Sequence, residues 1–327
     1  MKKVLFAITA FLGLSLALVA TGCGGGGGGG SDDGYDDLAS TPSGSGSSGG
    51  SGETTSASNS GSGERGSTTT SEDFVLVQGG TVTGKIPGSE VFIDGRSVQL
   101  FVKWACDHEV TVEEYKKVME FNPSGFSDSF YSGNPEKRPA DQVSWYDAIM
   151  YCNKRSSLDG KTPCYAVNGN TDTSQWNYTP HAENRISGEI TCNFNANGYR
   201  LPTEAEWEYL ARGGNTSNIG QTIYSGSDKA EDVAWYWDNS HATTKVVKQK
   251  SPNTIGLYDM SGNVMEWCWD LEVIANNGFL RVVRGGCYSD APTCCSVAYR
   301  DSHYPHFVFD KIGFRVVRSA DSSLLDL

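Results

Sequence analysis

The sequence predicts an α+β domain over residues 73–320, with few helices, short strands and long ordered loops. Only three segments show the period and capping of amphipathic helices, and the β-rich segments between them are short and bounded by Gly, Asn and Ser. About 250 residues are available, which suits one large domain or two small ones. Because rigid elements hold such loops in place, we expect the loops to carry the function.

Strands come first along this domain. FVLVQGGTV, from Phe74 to Val82, predicts a strand that a Gly-Gly turn interrupts. The next segment, VFIDGRSVQLFVKWA, predicts a β-hairpin with its turn at Asp94 and Gly95, because Asp-Gly favours the two-residue turns that join paired strands.

Three helices are predicted from their first turns. Thr111 with Glu114, and Thr203 with Glu206, have the spacing of a capping box, in which two side chains satisfy two backbone N–H groups at the helix start. Ser144 is the predicted cap of the helix between them. Apolar residues recur at helical spacing behind each cap, so each helix has a face for the core.

The first 22 residues have the form of a secretory signal, because Lys2 and Lys3 precede an apolar run that ends in small residues. Cys23 follows directly and resembles the cysteine of a bacterial lipobox, which implies cleavage before Cys23 and lipid on this residue. An uncleaved membrane anchor is the alternative, although the run is slightly short for a spanning helix. The predicted protein is therefore exported and held at a membrane through lipid, at the outer cell surface.

Residues 23–72 predict a disordered stalk. This tract is rich in Gly and Ser and has almost no large apolar residue, so it cannot bury enough surface to offset chain entropy. A flexible chain of this length has an r.m.s. span of roughly 40 Å, enough to hold a domain away from a membrane. Residues 321–327 form a short tail after the domain.

Charge and cysteine content exclude several functions. The formal net charge of −13 argues against nucleic acid as a partner. Eight cysteines follow Cys23, but none forms a CxxC pair with zinc spacing, and the five histidines are scattered. An exported domain can pair some cysteines, and the sequence does not give the pairing. Cys152 falls on the apolar face of the second predicted helix, which indicates a buried residue.

Several separate motifs give the chain a family resemblance. RLPTEAEWEYLARGG, GLYDMSGNVMEWCWD, and RVVRGG followed by CSVAYRD and IGFRVVRS resemble the formylglycine-generating-enzyme (sulfatase-modifying factor) domain. The resemblance covers nearly all of residues 74–319. It implies a variant of the C-type-lectin-like fold, with small twisted sheets, flanking helices and much irregular chain.

The resemblance also bears on catalysis. The family's enzyme oxidises a sulfatase cysteine with two cysteines of its own that hold copper. The matching positions here are Asp290 and Cys295. Because Cu(I) prefers paired sulfur ligands, a carboxylate beside one thiol does not reproduce that site. We therefore expect no formylglycine-generating activity and no bound copper.

A structural calcium site is a second implied feature. The family builds it around the motif GLYN-x-x-G-N-x-x-E-W, and the matching positions here are Asp259, Gly262, Val264 and Glu266. Carboxylates from Asp259 and Glu266, with two backbone carbonyls, would suit Ca²⁺. The alternative is that both acids only cap turns and bond backbone.

One subgroup with this domain matches the C-terminal stretch better than the enzyme does. These are the variable proteins of diversity-generating retroelements, which display a hypervariable ligand-binding surface. Their mechanism replaces template adenines, commonly in AAY codons, which excludes Lys, Glu, Gln, Met and Trp. Residues 287–310 contain none of these five types, and they lie in the predicted variable region, about residues 285–318.

The resemblance thus predicts a displayed lipoprotein that binds an external ligand, either a protein or a surface glycan. A cysteine oxidase and an invariant adhesive or structural lipoprotein are the alternatives. Tyrosine-rich surfaces offer large contact area at low entropic cost. The predicted binding residues are Cys287, Tyr288, Ser289, Asp290, Ala291, Pro292, Thr293, Cys294, Tyr299, Asp301, Ser302, His303, Tyr304, His306, Phe307 and Phe309. For Phe307 and Phe309, burial in the core is an equal alternative.

Overall fold

A computed structural model describes residues 70–320, except residues 72, 126–132, 183, 216, 218 and 275–277. The predicted signal, Cys23, nearly all of the stalk and the tail lie outside the described residues. Among the helices that are described, none is both long and apolar enough to cross a membrane.

Across its described residues the chain combines short helices with four small sheets, which confirms the α+β class. The helices are α1 Val112–Met119, α2 Trp145–Leu158, α3 Glu204–Ala211, α4 Ala230–Val233 and α5 Trp237–Ser240. The strands are β1 Thr70–Ser71, β2 Phe74–Val77, β3 Gly80–Thr83, β4 Ser97–Leu100, β5 Lys103–Cys106, β6 Tyr165–Val167, β7 Ile190–Cys192, β8 Tyr199–Arg200, β9 Met265–Ile274, β10 Gly278–Arg284, β11 Arg300–His303, β12 Ile312–Gly313 and β13 Val317–Ser319.

Two sheets form the centre of the domain. One has the strand order β1-β2-β5-β13-β8, and the other has the order β11-β10-β9-β12. All their neighbouring strands are antiparallel except β12 and β9, which are parallel. Two further ribbons, β3-β4 and β6-β7, lie outside these sheets. Strands β10 and β11 hold the C-terminal stretch, so this second sheet is the scaffold of the predicted variable region.

The predicted helix starts are confirmed. Thr111 with Glu114 and Thr203 with Glu206 form capping boxes, and Ser144 forms a third with Asp147. The predicted inner faces are buried, and Cys152 is fully enclosed in the core, as its helical spacing indicates. These local signals succeed because each cap and its helix lie within one short segment.

The hairpin predicted at Asp94 and Gly95 is wrong. Residues 91–93 form no strand, and β4 pairs instead with β3 in the register Gly80 opposite Leu100. The Asp-Gly segment is an exposed turn between Phe92, which is buried, and the start of β4. Strand β4 pairs with β3, which lies earlier in the chain, and the Asp-Gly dipeptide carries no information about this pairing.

Candidate binding surface

The predicted variable region runs from the end of β10 into β13. It contains a short 3₁₀ turn at Pro292–Cys295 and then β11, which pairs with β10 so that His303 lies opposite Arg281. Its entry needs a glycine, because Gly286 has a φ of 68° and a Cβ there would lie 2.4 Å from the Cys294 carbonyl oxygen. The chain therefore turns back on itself directly after β10.

Three of the sixteen predicted binding residues are buried, which corrects their assignment to an exposed surface. Cys287 is fully enclosed, Cys294 is 2% exposed, and Tyr288 is 4% exposed with its hydroxyl donating to Asp310 Oδ2 at 2.9 Å. Burial raises the pKa of the Cys287 thiol to about 12. These side chains fill space beneath the turn, so a ligand on the surface would not contact them.

The other predicted residues reach the surface to different extents. Four are exposed: Ala291, Thr293, Tyr304 and Phe309. Nine are half-buried: Ser289, Asp290, Pro292, Tyr299, Asp301, Ser302, His303, His306 and Phe307. The structure thus brings thirteen of the sixteen to one partly accessible region of the C-terminal stretch.

Five rings of this region contact one another, and we call them the aromatic cluster: His303, Tyr304, His306, Phe307 and Phe309. Phe307 is at its centre, with ring centroids 4.9 Å from His306, 5.2 Å from Tyr304 and 5.3 Å from Phe309. His303 joins through Phe309 at 5.4 Å. Interplanar angles of 41° to 89° show edge-to-face and tilted contacts, which are favourable ring geometries.

Acidic groups flank the aromatic cluster. Burial lowers the pKa of His303, against the opposing effect of Asp301 and Asp290, and Asp301 Oδ2 lies 3.7 Å from His303 Nε2. Burial, followed by the charge of Asp301, raises the pKa of Tyr299 to about 12. The His303 ring therefore lies beside acidic side chains at this surface.

Arg284 fixes the main chain behind this surface. It is 1% exposed and donates to the carbonyl oxygens of Val297, Ala298 and Tyr299 at 3.2, 3.0 and 2.7 Å. Its Nη2 also donates to Glu208 Oε2 at 2.6 Å. A guanidinium has a rigid fork of donors, so this one side chain holds the segment that leads into β11 through backbone atoms.

The loop after β11 is anchored in the same way. The backbone N–H of Trp145, at the start of α2, donates to the Pro305 carbonyl at 3.0 Å, and the N–H of Gln142 donates to the Phe309 carbonyl at 2.9 Å. Trp145 N–H is one of the donors that a helix start leaves unpaired, and the loop satisfies it. The two contacts hold the loop that carries Tyr304 to Phe309 against the start of α2 and the segment that precedes it.

Trp237 belongs to the same surface, and the sequence analysis missed it. Its side chain is 61% exposed, and its backbone N–H donates to the Asp290 carbonyl at 3.0 Å. Trp237 is distant in sequence from residues 287–310, so the composition of that tract gave no sign of it. Its exposure and its place in the four-residue helix α5 are visible only in the folded chain.

The two positions that match the family's copper ligands do not form a thiolate pair. Asp290 is half-buried and its Oδ2 accepts the backbone N–H of Cys287 at 3.0 Å. Cys295 is fully enclosed, and burial raises the pKa of its thiol well above the usual value. A carboxylate bonded to backbone beside one enclosed thiol does not fit Cu(I).

Of the predicted calcium ligands, Glu266 is already occupied by protein donors, whereas Asp259 has one buried oxygen, Oδ1, without a hydrogen-bond partner among the described residues. Both oxygens of the Glu266 carboxylate accept from Arg315, at 2.6 to 2.9 Å, and Oε2 also accepts from Trp207 Nε1 at 2.7 Å. With its acceptor positions taken, Glu266 is a structural ion-pair partner, which corrects its assignment as a calcium ligand. Asp259 is buried, and its Oδ2 accepts the Lys248 N–H at 2.7 Å.

Gly262 and Val264, the other two predicted calcium ligands, lie in a tight turn of the main chain. Gly262 has a φ of 77°, and a Cβ there would lie 2.2 Å from the Trp235 carbonyl oxygen. The backbone N–H of Val264 donates to Glu109 Oε1 at 3.1 Å. Glu109, which the motif did not include, thus organises this turn by accepting from its backbone.

Residues 60–320 match the sulfatase-modifying factor enzyme 1-like domain, and the chain belongs to this family. The predicted resemblance and the C-type-lectin-like fold of the formylglycine-generating-enzyme type are both confirmed. Among solved structures, Treponema denticola variable protein 1 (TvpA) matches with a TM-score of 0.65 and 32% identity, over 76% of this chain and 95% of that chain.

Curated relatives have several functions. Chaperone protein LppX of Paenibacillus barcinonensis is 37% identical over 276 residues, 78% of this chain and 92% of LppX. The formylglycine-generating enzyme of Streptomyces coelicolor is 34% identical over 157 residues, 38% of this chain and 48% of that enzyme. An inactive C-alpha-formylglycine-generating enzyme 2 of Mus musculus is 34% identical over 149 residues, 40% of this chain and 46% of its own. Membership of the family therefore does not by itself imply catalysis.

Proposed function

We propose that the chain is a variable protein that binds an external ligand through the aromatic cluster and the neighbouring 289–293 turn. The observation that carries this proposal is the cluster: five rings in contact, partly exposed, at the end of strand β11. Aromatic side chains give large contact area with few rotatable bonds. The similarity to Treponema denticola variable protein 1 supports the assignment as a variable protein.

Rigidity of the main chain favours binding. Arg284 holds three carbonyls behind β11, and the backbone of α2 holds the Pro305 carbonyl. A surface that is ordered before contact loses less entropy on association, so more of the contact energy appears as affinity. We propose a protein or a surface glycan as the ligand.

Variation of this surface by a diversity-generating retroelement is part of the proposal. Residues 287–310 contain only residue types that adenine replacement in AAY codons produces. The test is in the DNA: a near-copy of the codons for these residues, differing only at adenines, should lie beside a reverse-transcriptase gene. Absence of such a copy would favour the alternative of an invariant adhesive or structural lipoprotein.

A displayed library tests the binding surface directly. NNY codons are placed at the exposed positions Ala291, Thr293, Tyr304 and Phe309. We expect most clones to stay folded, because surface changes alter stability little, and selection against a purified protein or an immobilised glycan to recover binders. A control library at the buried Cys287 and Tyr288 should unfold frequently. Equal loss of folding in both libraries contradicts the proposal.

Display at the cell surface is the second part of the proposal. Lipid on Cys23 would anchor the chain, and residues 24–72 would serve as the stalk that extends the domain from the membrane. These residues lie outside the described part of the chain, and the support is the pattern of the sequence.

A sulfatase-modifying oxidase is the alternative function, favoured by the relatives of that name. We propose that the chain is not such an enzyme, because Asp290 occupies one of its two thiol positions. The test is incubation with copper and a cysteine-containing sulfatase peptide, followed by mass spectrometry. Formation of formylglycine at a rate that depends on Cys295 would overturn this conclusion.

A further inference from the structure

A cavity lies away from the proposed binding surface and shares no residue with it. Its volume is about 550 Å³, and it lies between the β4–β5 connection, the chain before β8, the start of α3 and the end of β13. This size is within the range that holds small organic ligands. The main apolar lining residues are Val98, Leu100, Phe101, Val102, Phe194 and Ala205.

Three charged side chains line this mostly apolar cavity. Lys103 and Arg200 are 2% and 5% exposed, and Glu206, at 9%, lies between them. Glu206 accepts from both terminal nitrogens of Arg200, at 2.6 and 2.8 Å, and lies 3.3 Å from Lys103 Nζ. Among the described residues of the lining, two cations therefore face one anion, and one positive charge is unbalanced.

One hydrogen-bond donor of Arg200 is also unsatisfied among the described residues. Its Nε–H is enclosed and has no hydrogen-bond partner within the described part of the chain. Burial lowers the pKa of Lys103, although Glu206 acts against this shift. An unbalanced charge and an unpaired donor in a buried place both destabilise a protein, and a bound anion would relieve both.

We propose that this cavity binds an amphipathic carboxylate, with its carboxylate paired to Lys103 and Arg200 and its apolar body against Leu100, Phe101 and Phe194. The two cationic side chains favour a ligand with an anionic head group, and the apolar walls favour a ligand with an apolar body. Phe101 and Phe194 are 69% and 41% exposed, which is apolar surface that such a ligand would cover. The cavity shares no residue with the proposed binding surface, so the test of this inference does not depend on the proposed function.

Calorimetry on the purified protein with three probes tests the proposal. Decanoate should bind about 15-fold more tightly than octanoate, because each buried methylene contributes about fourfold in affinity. Decanol, which has the same apolar body and no charge, should bind at least about tenfold more weakly than decanoate. The proposal is overturned if decanoate does not bind at about 1 mM, or if decanol binds as tightly.

Two variants locate the site. Lys103→Met should remove most of the preference for decanoate over decanol, whereas the control Lys117→Met, at a side chain 67% exposed, should leave it unchanged. Ala205→Phe fills the cavity without altering its charges and should abolish binding of both probes, which holds as a test even if Lys103→Met fails to fold. Unchanged decanoate binding by a folded Ala205→Phe protein overturns the assignment.

Discussion

Replacement of Arg284 by Met should destabilise the domain by about 3 to 4 kcal/mol. The change leaves three backbone carbonyls without their guanidinium donor and removes the 2.6 Å contact to Glu208. Each unmade hydrogen bond costs about 1 kcal/mol, so the three carbonyls account for about 3. Glu208 keeps a contact of 2.8 Å to Arg212, so its charge stays partly balanced and loss of its contact to Arg284 adds only up to about 1 kcal/mol.

Urea unfolding of the wild type and the variant measures the difference in free energy. Lys117→Met is the matched control, because it breaks an exposed pair with Glu113 and should change stability by less than about 0.5 kcal/mol. Adding Glu208→Gln to Arg284→Met should cost less than the sum of the single changes, since the two side chains share one contact. A loss below about 1 kcal/mol for Arg284→Met would refute the assigned role of this side chain.

Three further predictions concern pH, lipid and capping. Burial raises the pKa of Asp141 to about 8. The folded state then keeps a proton that the unfolded state loses, and stability falls by about 1.4 kcal/mol per unit between about pH 4 and pH 8. Asp141→Asn should remove this slope in urea titrations, and equal slopes would contradict the assignment. Cys23→Ser should release the protein from membranes on fractionation, whereas retention would place the anchor elsewhere. Ser144→Ala should cost about 1 kcal/mol, because the α2 cap is lost, and no change in melting temperature would argue against it.

The sequence predicts features whose causes are local. Thr111, Ser144 and Thr203 cap their helices within four residues, so a short segment contains the whole signal. The β-hairpin at Asp94 failed because β4 pairs with a strand earlier in the chain. Pairing of strands is decided by packing across the sheet, which the turn sequence does not contain.

The sequence indicated where the proposed binding surface lies but not which of its side chains are buried. Residues 287–310 were identified from the family resemblance and from composition, yet this tract has no regular period, so burial of Cys287 and Tyr288 was not visible. Glu266 was misassigned because its partner, Arg315, is 49 residues further along the chain. Trp237 was missed since only the folded chain brings it to the Asp290 carbonyl.

The hydrogen bonds that hold the chain around the aromatic cluster have one property in common: each is accepted by a main-chain carbonyl oxygen. Arg284, Trp145 and Gln142 all donate to backbone oxygens of residues 297–309, and every amino acid supplies that oxygen. Exchange of Tyr304 or Phe309 therefore leaves the attachment of the loop intact. Under the proposed function, such a domain would uncouple change in the binding surface from the maintenance of its own architecture, so many successive versions of the surface would be compatible with one scaffold.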